Sequence, residues 1–288
     1  MSLFRRKTDK INFSDSIRQE QKFLIWQNDD FFLRESYKTT RTNVIFSLAG
    51  TEGCKVIGVT SSLQSEGKSI TASNLAMSFA DTGARVLIMD CDLRKPKLSR
   101  LLNSSGDNGL TNVLMDNSLL NTSIMRVKEG KNLWLLSAGS IPPNPSELLG
   151  SEVMQNLIEG LRSKFDYIII DTPPIDMVTD ALVVSKLIDG MLFVVRAGQS
   201  DKRAFLHSVE QMEYSNTKIL GIIFNGSETA GGGYGYKRYG YRRYGYRRYG
   251  YGGYGYSRGY GYGYGYKQQE LSDRNDKKTD ATSKKEKD

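Results

Sequence analysis

The chain has 288 residues, of which 40 are Lys or Arg and 32 are Asp or Glu, giving a formal net charge of +8. Residues 227–288 hold 14 basic and 7 acidic residues and so account for +7 of this charge. Two cysteines and one histidine exclude a disulfide framework and a Cys/His zinc site. The N-terminus lacks the apolar run of a signal peptide, and no segment reaches the ~20 apolar residues of a membrane span. We therefore expect a cytoplasmic protein.

Composition divides the chain into three parts. Residues 1–28 are polar and irregular, and they are predicted to form a flexible N-terminal arm or a docked segment. Residues 1–226 hold 26 basic and 25 acidic residues and are therefore nearly neutral. The part from 29 to 226 is long enough to bury one core. Residues 227–288 are predicted to be a disordered tail, because they are rich in glycine and poor in aliphatic residues.

Apolar patterns in the central part predict helices that alternate with buried strands. The first helix is expected at about 29–49, with Asp29 or Asp30 as its cap. Strands are predicted at 55–60, 85–90, 133–136, 167–171, 191–195 and 219–224, and further helices at 68–81, 151–164 and 179–187. This order is typical of an α/β fold with a doubly wound, mostly parallel sheet.

A phosphate-binding motif lies between the first strand and its helix. Residues 62–69 read SLQSEGKS and match G-x-x-x-x-G-K-[ST], except that Ser62 replaces the first glycine. The backbone N–H groups of such a loop and the helix N-terminus behind it bind phosphate. Lys68 would neutralise the β- and γ-phosphates and the Ser69 hydroxyl would bind Mg²⁺. ATP and Mg²⁺ are therefore the predicted cofactors, and the alternative is an ordinary loop-to-helix turn. The predicted nucleotide-binding residues of the loop are Ser65, Glu66, Gly67, Lys68, Ser69 and Ile70.

Acidic residues end two of the predicted strands. Asp171 follows three isoleucines, which is the Walker B pattern of a P-loop NTPase and suits the orientation of Mg²⁺. Asp90 and Asp92 end the strand at 85–90 and would supply further metal ligation or a base for a hydroxyl acceptor. The carboxyl ends of parallel strands share one edge, so the three acids should converge there. Helix capping or a surface turn is the alternative for Asp90 and Asp92.

These motifs resemble the bacterial tyrosine kinases of capsule and exopolysaccharide synthesis, whose kinase domain has a P-loop ATPase fold. The resemblance also rests on segments 35–43, 89–96 (MDCDLRKP), 139–149 (GSIPPNPSELL) and 171–174 (DTPP), and on the C-terminal tyrosines. It implies that residues 29–226 form a kinase that phosphorylates protein tyrosine and its own tail in trans within a ring-shaped homo-oligomer. It further implies a membrane-embedded activator, the chain-length regulator, a cognate tyrosine phosphatase, and a location at the inner face of the membrane through that partner.

The resemblance assigns roles to individual residues. By resemblance, Lys68, Asp90 and Asp92 are catalytic, with Asp90 as the base that receives the tyrosine proton. The metal ligands implied in the same way are Ser69, Asp92 and Asp171, and Asn225 lies where related ATPases contact adenine. The tail tyrosines, 14 of the 17 in the chain, are the implied phosphorylation sites. They are Tyr234, Tyr236, Tyr239, Tyr241, Tyr244, Tyr246, Tyr249, Tyr251, Tyr254, Tyr256, Tyr260, Tyr262, Tyr264 and Tyr266.

The chain departs from the family pattern at two places. Glu35, Lys38 and Arg41 fall on the Glu-x-x-Arg-x-x-Arg oligomerisation motif, with Lys38 in place of the first arginine. A solvated helix face is the alternative for these three. The loop reads Gln64-Ser65 where the family commonly has Pro-Gly, so Ser65 must tolerate the backbone geometry of a glycine.

Two other functions remain as alternatives. A regulatory ATPase of the ParA/MinD type would carry a signature lysine one position after the first residue of the loop, where this chain has Leu63. The basic Gly/Tyr/Arg tail alone would also suit nucleic-acid binding or a structural, adhesive role, because aromatic rings stack on bases and arginine pairs with phosphate. Neither alternative explains the tyrosine cluster beside a phosphoryl-transfer site, so no nucleic-acid partner is expected.

Overall fold

The computed structural model describes residues 13–104 and 108–227. The strands are β1 Lys55–Ser61, β2 Val86–Asp90, β3 Ile124–Arg126, β4 Leu133–Leu136, β5 Tyr167–Asp171, β6 Gly190–Arg196 and β7 Ile219–Asn225. The helices are α1 Phe13–Gln21, α2 Phe31–Ser47, α3 Lys68–Ala80, α4 Leu98–Leu101, α5 Leu110–Met115, α6 Leu120–Ser123, α7 Pro145–Leu149, α8 Glu152–Arg162, α9 Asp180–Val184 and α10 Lys202–Tyr214. Short 3₁₀ turns lie at Asn117–Leu119 and Ser185–Leu187. The tail and its tyrosine cluster lie outside the described residues.

One seven-stranded sheet has the order β3-β4-β2-β5-β1-β6-β7. Neighbouring strands run parallel except at the β3–β4 edge, where the pair is antiparallel. The predicted α/β fold with a doubly wound, mostly parallel sheet is therefore confirmed. In this order β5 lies directly beside β1, and β2 is the next strand on the same side, so the ends of both strands that carry the acids lie on one side of the phosphate loop.

The strands read as continuous apolar runs because the sheet is covered on both faces. Ile57, Ile88 and Ile169 point to the layer that contains Leu75 and Phe79 of α3. The alternate residues of the same strands point to a second layer that contains α5 and α8. A parallel sheet buried on both faces loses the apolar/polar alternation of an amphipathic strand, which is why the sequence predicts these strands from apolar runs alone.

Helix boundaries follow the capping side chains. Asp30 caps α2, since its Oδ1 accepts the N–H groups of Phe32 at 2.8 Å and Leu33 at 3.3 Å. Ser151 caps α8 by accepting the N–H of Met154 at 3.2 Å. Asp30 is one of the two caps that the sequence predicts for the first helix.

Residues 13–28 of the segment for which the sequence predicts a flexible arm or a docked segment lie against the domain in the structure. The segment begins with helix α1, and Leu24 and Ile25 after it are 1% and 4% exposed. The N–H of Ile25 donates to Asn74 Oδ1 on α3 at 2.9 Å. Asn74 in turn donates to the Phe23 carbonyl at 2.8 Å. The buried side chains are too few to form a helical pattern in the sequence, and their partners are distant along the chain.

Among residues 13–104 and 108–227, no helix has the length and apolar character needed to cross a membrane.

Candidate active site

The phosphate loop joins the end of β1 to the start of α3, as the motif predicts. Gly67 has a φ of +98°, a region that favours glycine. A Cβ atom at Gly67 would lie 2.0 Å from Asn225 Nδ2, so the position also lacks room for a side chain. Ser65 has a φ of +65°, which is the left-handed geometry that the Pro-Gly departure requires of it. Behind the loop, α3 directs its N-terminal N–H groups toward the space that phosphate would occupy.

Lys68 lies among the predicted acids. Its Nζ is 2.8 Å from Asp92 Oδ2 and 3.4 Å from Asp171 Oδ1, and it is 3.5 Å from Ser69 Oγ. Burial alone would lower the pKa of Lys68, but the carboxylates of Asp171 and Asp92 raise it above its ordinary value. The ammonium group therefore stays charged, and it is placed to bind anionic phosphate oxygens beside the acids.

Asp90 is buried at the end of β2, directly opposite Asp171 in the β2–β5 register. Its Oδ2 accepts the N–H groups of Lys97 at 3.0 Å and Leu98 at 2.9 Å, at the start of α4. Its Oδ1 accepts the N–H of Asp92 at 3.2 Å. The capping role that was the alternative for Asp90 is therefore present, and it fixes the orientation of the carboxyl group.

The environment of Asp90 suits a group that exchanges a proton near neutral pH. Burial, followed by the charge of Asp171, raises the pKa of Asp90 to about 7. The backbone N–H of Leu98 and the charge of Lys68 oppose this rise. A carboxylate with a pKa near the working pH is effective as a general base, because it is largely ionised and still basic.

The acids and Ser69 fit a magnesium ion. Asp171 Oδ2 is buried and has no hydrogen-bond partner within the described residues, although an oxygen in that position ordinarily has one. Burial raises the pKa of Asp171, while Lys68 and Ser69 lower it. No three His, Cys, Asp or Glu side chains of the described residues form a complete protein cage for a metal. Mg²⁺ is usually held by only one or two carboxylates, with water and phosphate oxygens completing its shell.

The remaining predicted nucleotide residues are engaged within the protein. Glu66 is 1% exposed, and its Oε2 accepts the N–H of Leu63 at 2.9 Å. Asn225 Nδ2 donates to the Glu66 carbonyl at 2.9 Å, so this donor is already used. Ile70 is half-buried in the first turn of α3. The structure thus brings Asn225 to the loop, but its amide nitrogen contacts the backbone of the loop.

An ion pair that the sequence analysis missed joins three segments of the site. Arg94 binds Asp180 with two bonds, from Nε to Oδ2 at 2.9 Å and from Nη2 to Oδ1 at 3.1 Å. Asp180 is fully buried and also accepts the hydroxyl of Ser146. Arg94 and Ser146 lie in segments 89–96 and 139–149, which carry the family resemblance and could have pointed to them. Nothing in the local sequence identifies Asp180 as their partner.

The three residues of the predicted oligomerisation motif do not act as one group. Glu35 and Lys38 form an ion pair at 2.6 Å on the outer side of α2. Arg41 is half-buried and donates to the carbonyl and hydroxyl of Ser78 on α3. Arg41 therefore binds its own domain in this structure.

Comparisons with known proteins agree with this geometry. A family model described as an AAA domain matches residues 54–200. The tyrosine-protein kinase YwqD of Bacillus subtilis (strain 168) is 38% identical over 194 residues, which are 67% of this chain and 81% of that protein. The kinase domain of the Escherichia coli tyrosine kinase ETK has a TM-score of 0.65 at 32% identity, over 71% of this chain and 80% of that one.

The ParA/MinD alternative has weaker support. A ParA family ATPase from Chlorobium tepidum TLS has a TM-score of 0.50 at 21% identity, over 59% of this chain and 73% of that one, which shows a shared fold alone. The phosphate loop, the acids at the ends of β2 and β5, and the extent of the identity to tyrosine kinases lead to one assignment. The chain belongs to the bacterial tyrosine kinase family with a P-loop ATPase fold.

Proposed function

We propose that this kinase transfers the γ-phosphoryl group of ATP to tyrosine hydroxyl groups in the presence of Mg²⁺. The observation that carries the proposal is the contact of Lys68 Nζ with Asp92 at 2.8 Å and Asp171 at 3.4 Å beside the phosphate loop. Positioning and charge stabilisation supply most of the catalysis in phosphoryl transfer. A buried ammonium, three converging carboxyl groups and a helix N-terminus are the groups that such a reaction needs.

Each side chain has a distinct task in this proposal. Lys68, which contacts Asp92 and Asp171 in the structure, would bind the β- and γ-phosphate oxygens beside those acids. Asp90 Oδ1 has one long hydrogen bond and is the atom proposed to receive the tyrosine proton. Asp171 Oδ2 and Ser69 Oγ, together with Asp92, would hold Mg²⁺. When bound, that ion neutralises negative charge on the transferred phosphoryl group.

The proposed substrate is the tyrosine cluster at residues 234–266 of another copy. Its 14 hydroxyl groups lie on Gly-rich sequence, and ~30 residues of such chain have an r.m.s. span of roughly 30 Å. A span of this size would let a tail reach an active site roughly 30 Å away on a neighbouring subunit. Transfer in trans would add about −1.5 to −2 charge per phosphate, so ~five phosphates would cancel the +7 of residues 227–288.

A mixing experiment tests the proposal. One copy carries Lys68→Met and an intact tail, and the other carries an intact active site with all tail tyrosines replaced by phenylalanine. We expect Mg-ATP to produce phosphotyrosine on the Lys68→Met copy in the mixture and on neither copy alone. Lys164→Met is the matched control, because Lys164 is exposed at the end of α8. Phosphotyrosine on isolated Lys68→Met protein, or an inactive Lys164→Met protein, would contradict the assignment.

We further propose that this reaction regulates the synthesis, chain length or export of a capsular or exopolysaccharide. A membrane-embedded chain-length regulator would activate the kinase and hold it at the inner face of the membrane, and a cognate phosphatase would reverse the reaction. Support comes from the family assignment, and in particular from the resemblance of segments 89–96 and 139–149. Co-purification of the full chain with the regulator from detergent extracts tests recruitment, and binding to lipid vesicles alone would contradict it.

Glu35, Lys38 and Arg41 are proposed to contact the next subunit of a ring-shaped homo-oligomer. In support, α2 places Glu35 and Lys38 on its outer side, where a neighbouring subunit could reach them. Light scattering before and after incubation with Mg-ATP tests the proposal. We expect a large species that dissociates as the tail becomes phosphorylated. A mass that Glu35→Ala leaves unchanged would count against this interface.

A further inference from the structure

The phosphate loop adopts a strained backbone without the residues that normally favour it. Ser65 has a φ of +65°, although it carries a side chain, and the residue before it is Gln64. A residue other than glycine keeps this geometry only when its surroundings stabilise it. The contacts of the neighbouring carbonyl groups show where that stabilisation comes from.

Two successive carbonyl groups of the loop bind the ends of two adjacent strands. Arg196 Nη1 donates to the Ser65 carbonyl at 2.9 Å, and Asn225 Nδ2 donates to the Glu66 carbonyl at 2.9 Å. Arg196 and Asn225 are the last residues of β6 and β7 and are partners in the register of that pair. The two donors are therefore held at a fixed spacing by the sheet.

The Glu66 side chain adds a third connection on the same side. Its carboxylate is buried and accepts the hydroxyl of Ser200 at one oxygen, while the other oxygen binds the N–H of Leu63 at 2.9 Å. Ser200 Oγ also accepts the N–H of Arg196 at 2.7 Å. Ser200, in the turn after β6, therefore contacts both Glu66 of the loop and Arg196, which donates to the Ser65 carbonyl.

These contacts determine where the loop directs its N–H groups. In a planar trans peptide the C=O and the N–H of the same unit point in opposite directions. The Ser65 carbonyl shares its peptide unit with the N–H of Glu66, and the Glu66 carbonyl shares its unit with the N–H of Gly67. Holding both carbonyls toward β6 and β7 therefore turns both N–H groups to the opposite side, where a phosphate would bind.

We propose that Arg196, Ser200 and Asn225 form a latch that stabilises the positive φ of Ser65 and holds the phosphate loop ready to bind nucleotide. They are positioning residues, which act through Ser65 and Glu66. The inference rests on the proposed binding of ATP by this loop. If the latch acts in this way, nucleotide affinity depends on Arg196 only while residue 65 has a strained backbone. Glycine at position 65 should remove that dependence, because glycine adopts a positive φ without strain.

The test is a cycle of variants measured by fluorescence titration with mant-ADP on the full chain. We expect Arg196→Ala to weaken binding about fivefold when residue 65 is serine, a modest loss because the Arg196 side chain is exposed. In the Ser65→Gly background the same change should weaken binding less than twofold. The kcat for tyrosine phosphorylation at saturating ATP should stay within twofold while the KM for ATP rises. Gln199→Ala, in the same exposed turn, is the matched control and should bind like the unmodified chain.

The outcomes separate the latch from the proposed function. An equal loss from Arg196→Ala in both backgrounds would mean that Arg196 contacts the nucleotide directly, and it would overturn the latch. Binding unchanged by Arg196→Ala would also overturn it. Failure of the unmodified chain to bind mant-ADP would instead overturn the proposed nucleotide site, and the latch with it. If Arg196→Ala does not fold, Ser200→Ala takes its place. In that variant the loop amides of the nucleotide-free protein should exchange hydrogen about fivefold faster, and unchanged exchange would refute the latch.

Discussion

Replacing Lys68 with methionine removes a positive charge from between two buried acids. The side chains of Lys68, Asp92 and Asp171 are 11%, 7% and 0% exposed. Removing one partner of a buried ion pair destabilises a protein by about 3–5 kcal/mol, because the other charge is left without compensation. We expect a loss of about 3 kcal/mol in the free energy of unfolding, which corresponds to a melting temperature lower by roughly 6–12 °C for a domain of this size.

The loss should depend on pH with a definite sign. Burial already raises the pKa of Asp171, and Lys68 opposes that rise, so Lys68→Met raises it further. A carboxyl group whose pKa is higher in the folded than in the unfolded chain favours folding at low pH, and this contribution is lost as the pH rises through the folded pKa. The destabilisation by Lys68→Met should therefore be larger at pH 8 than at pH 5.5.

Urea unfolding at the two pH values, with Lys164→Met as the matched control, measures the effect. Adding Asp171→Asn to Lys68→Met should recover part of the lost stability, because it removes the charge that was left uncompensated. Equal destabilisation at both pH values would refute the electrostatic reasoning. So would a double variant that is no more stable than Lys68→Met.

Three further changes test other parts of the structure. The kcat/KM should rise with pH through about 7 as Asp90 of the free enzyme ionises, because kcat/KM reports the pKa values of the free enzyme. Asp90→Asn should lower kcat/KM at least ~100-fold and remove that dependence, and a rise that Asp90→Asn retains would exclude Asp90 as the base. Gly67→Ala should weaken mant-ADP binding at least ~tenfold, because its Cβ would lie 2.0 Å from Asn225 Nδ2. Gly160→Ala, with nothing within 4 Å, should leave binding unchanged. Leu24→Ala should lower the free energy of unfolding by about 2–5 kcal/mol in a urea titration, since Leu24 is 1% exposed, and a loss below ~1 kcal/mol would argue that residues 13–28 are not docked.

The strands that are buried on both faces were predictable, because each of them appears in the sequence as an apolar run. Strands β1, β2 and β5 are apolar runs that end beside the motif residues, and their predicted ends differ from the observed ends by at most one residue. Strand β3 is only three residues long, Ile124–Arg126, and two of them are exposed. Such a strand has no periodicity to detect, and its antiparallel pairing depends on β4 rather than on its own sequence.

The site was predictable in its motif residues but not in the contacts that support them. The spacing of the motifs identifies Lys68, Asp92 and Asp171, and the shared edge of a parallel sheet predicts that they meet. The ion pair of Arg94 with Asp180 joins residues 86 positions apart, and Arg196 reaches Ser65 across 131 positions. Contacts at such separations depend on how the strands are ordered in the sheet, and no local pattern records that order.

The acids proposed to act in catalysis also leave the site with an unbalanced charge. With Asp90, Asp92 and Asp171 ionised and Lys68 protonated, the buried cluster carries a net charge of −2. Burial, and after it the neighbouring carboxylates, raise the pKa values of Asp90 and Asp171. A divalent cation would neutralise this charge and occupy the unpartnered Asp171 Oδ2. It would also allow Lys68 to turn from the acids to the phosphates. The cluster is therefore better suited to bind a metal and phosphates together than to bind either one alone.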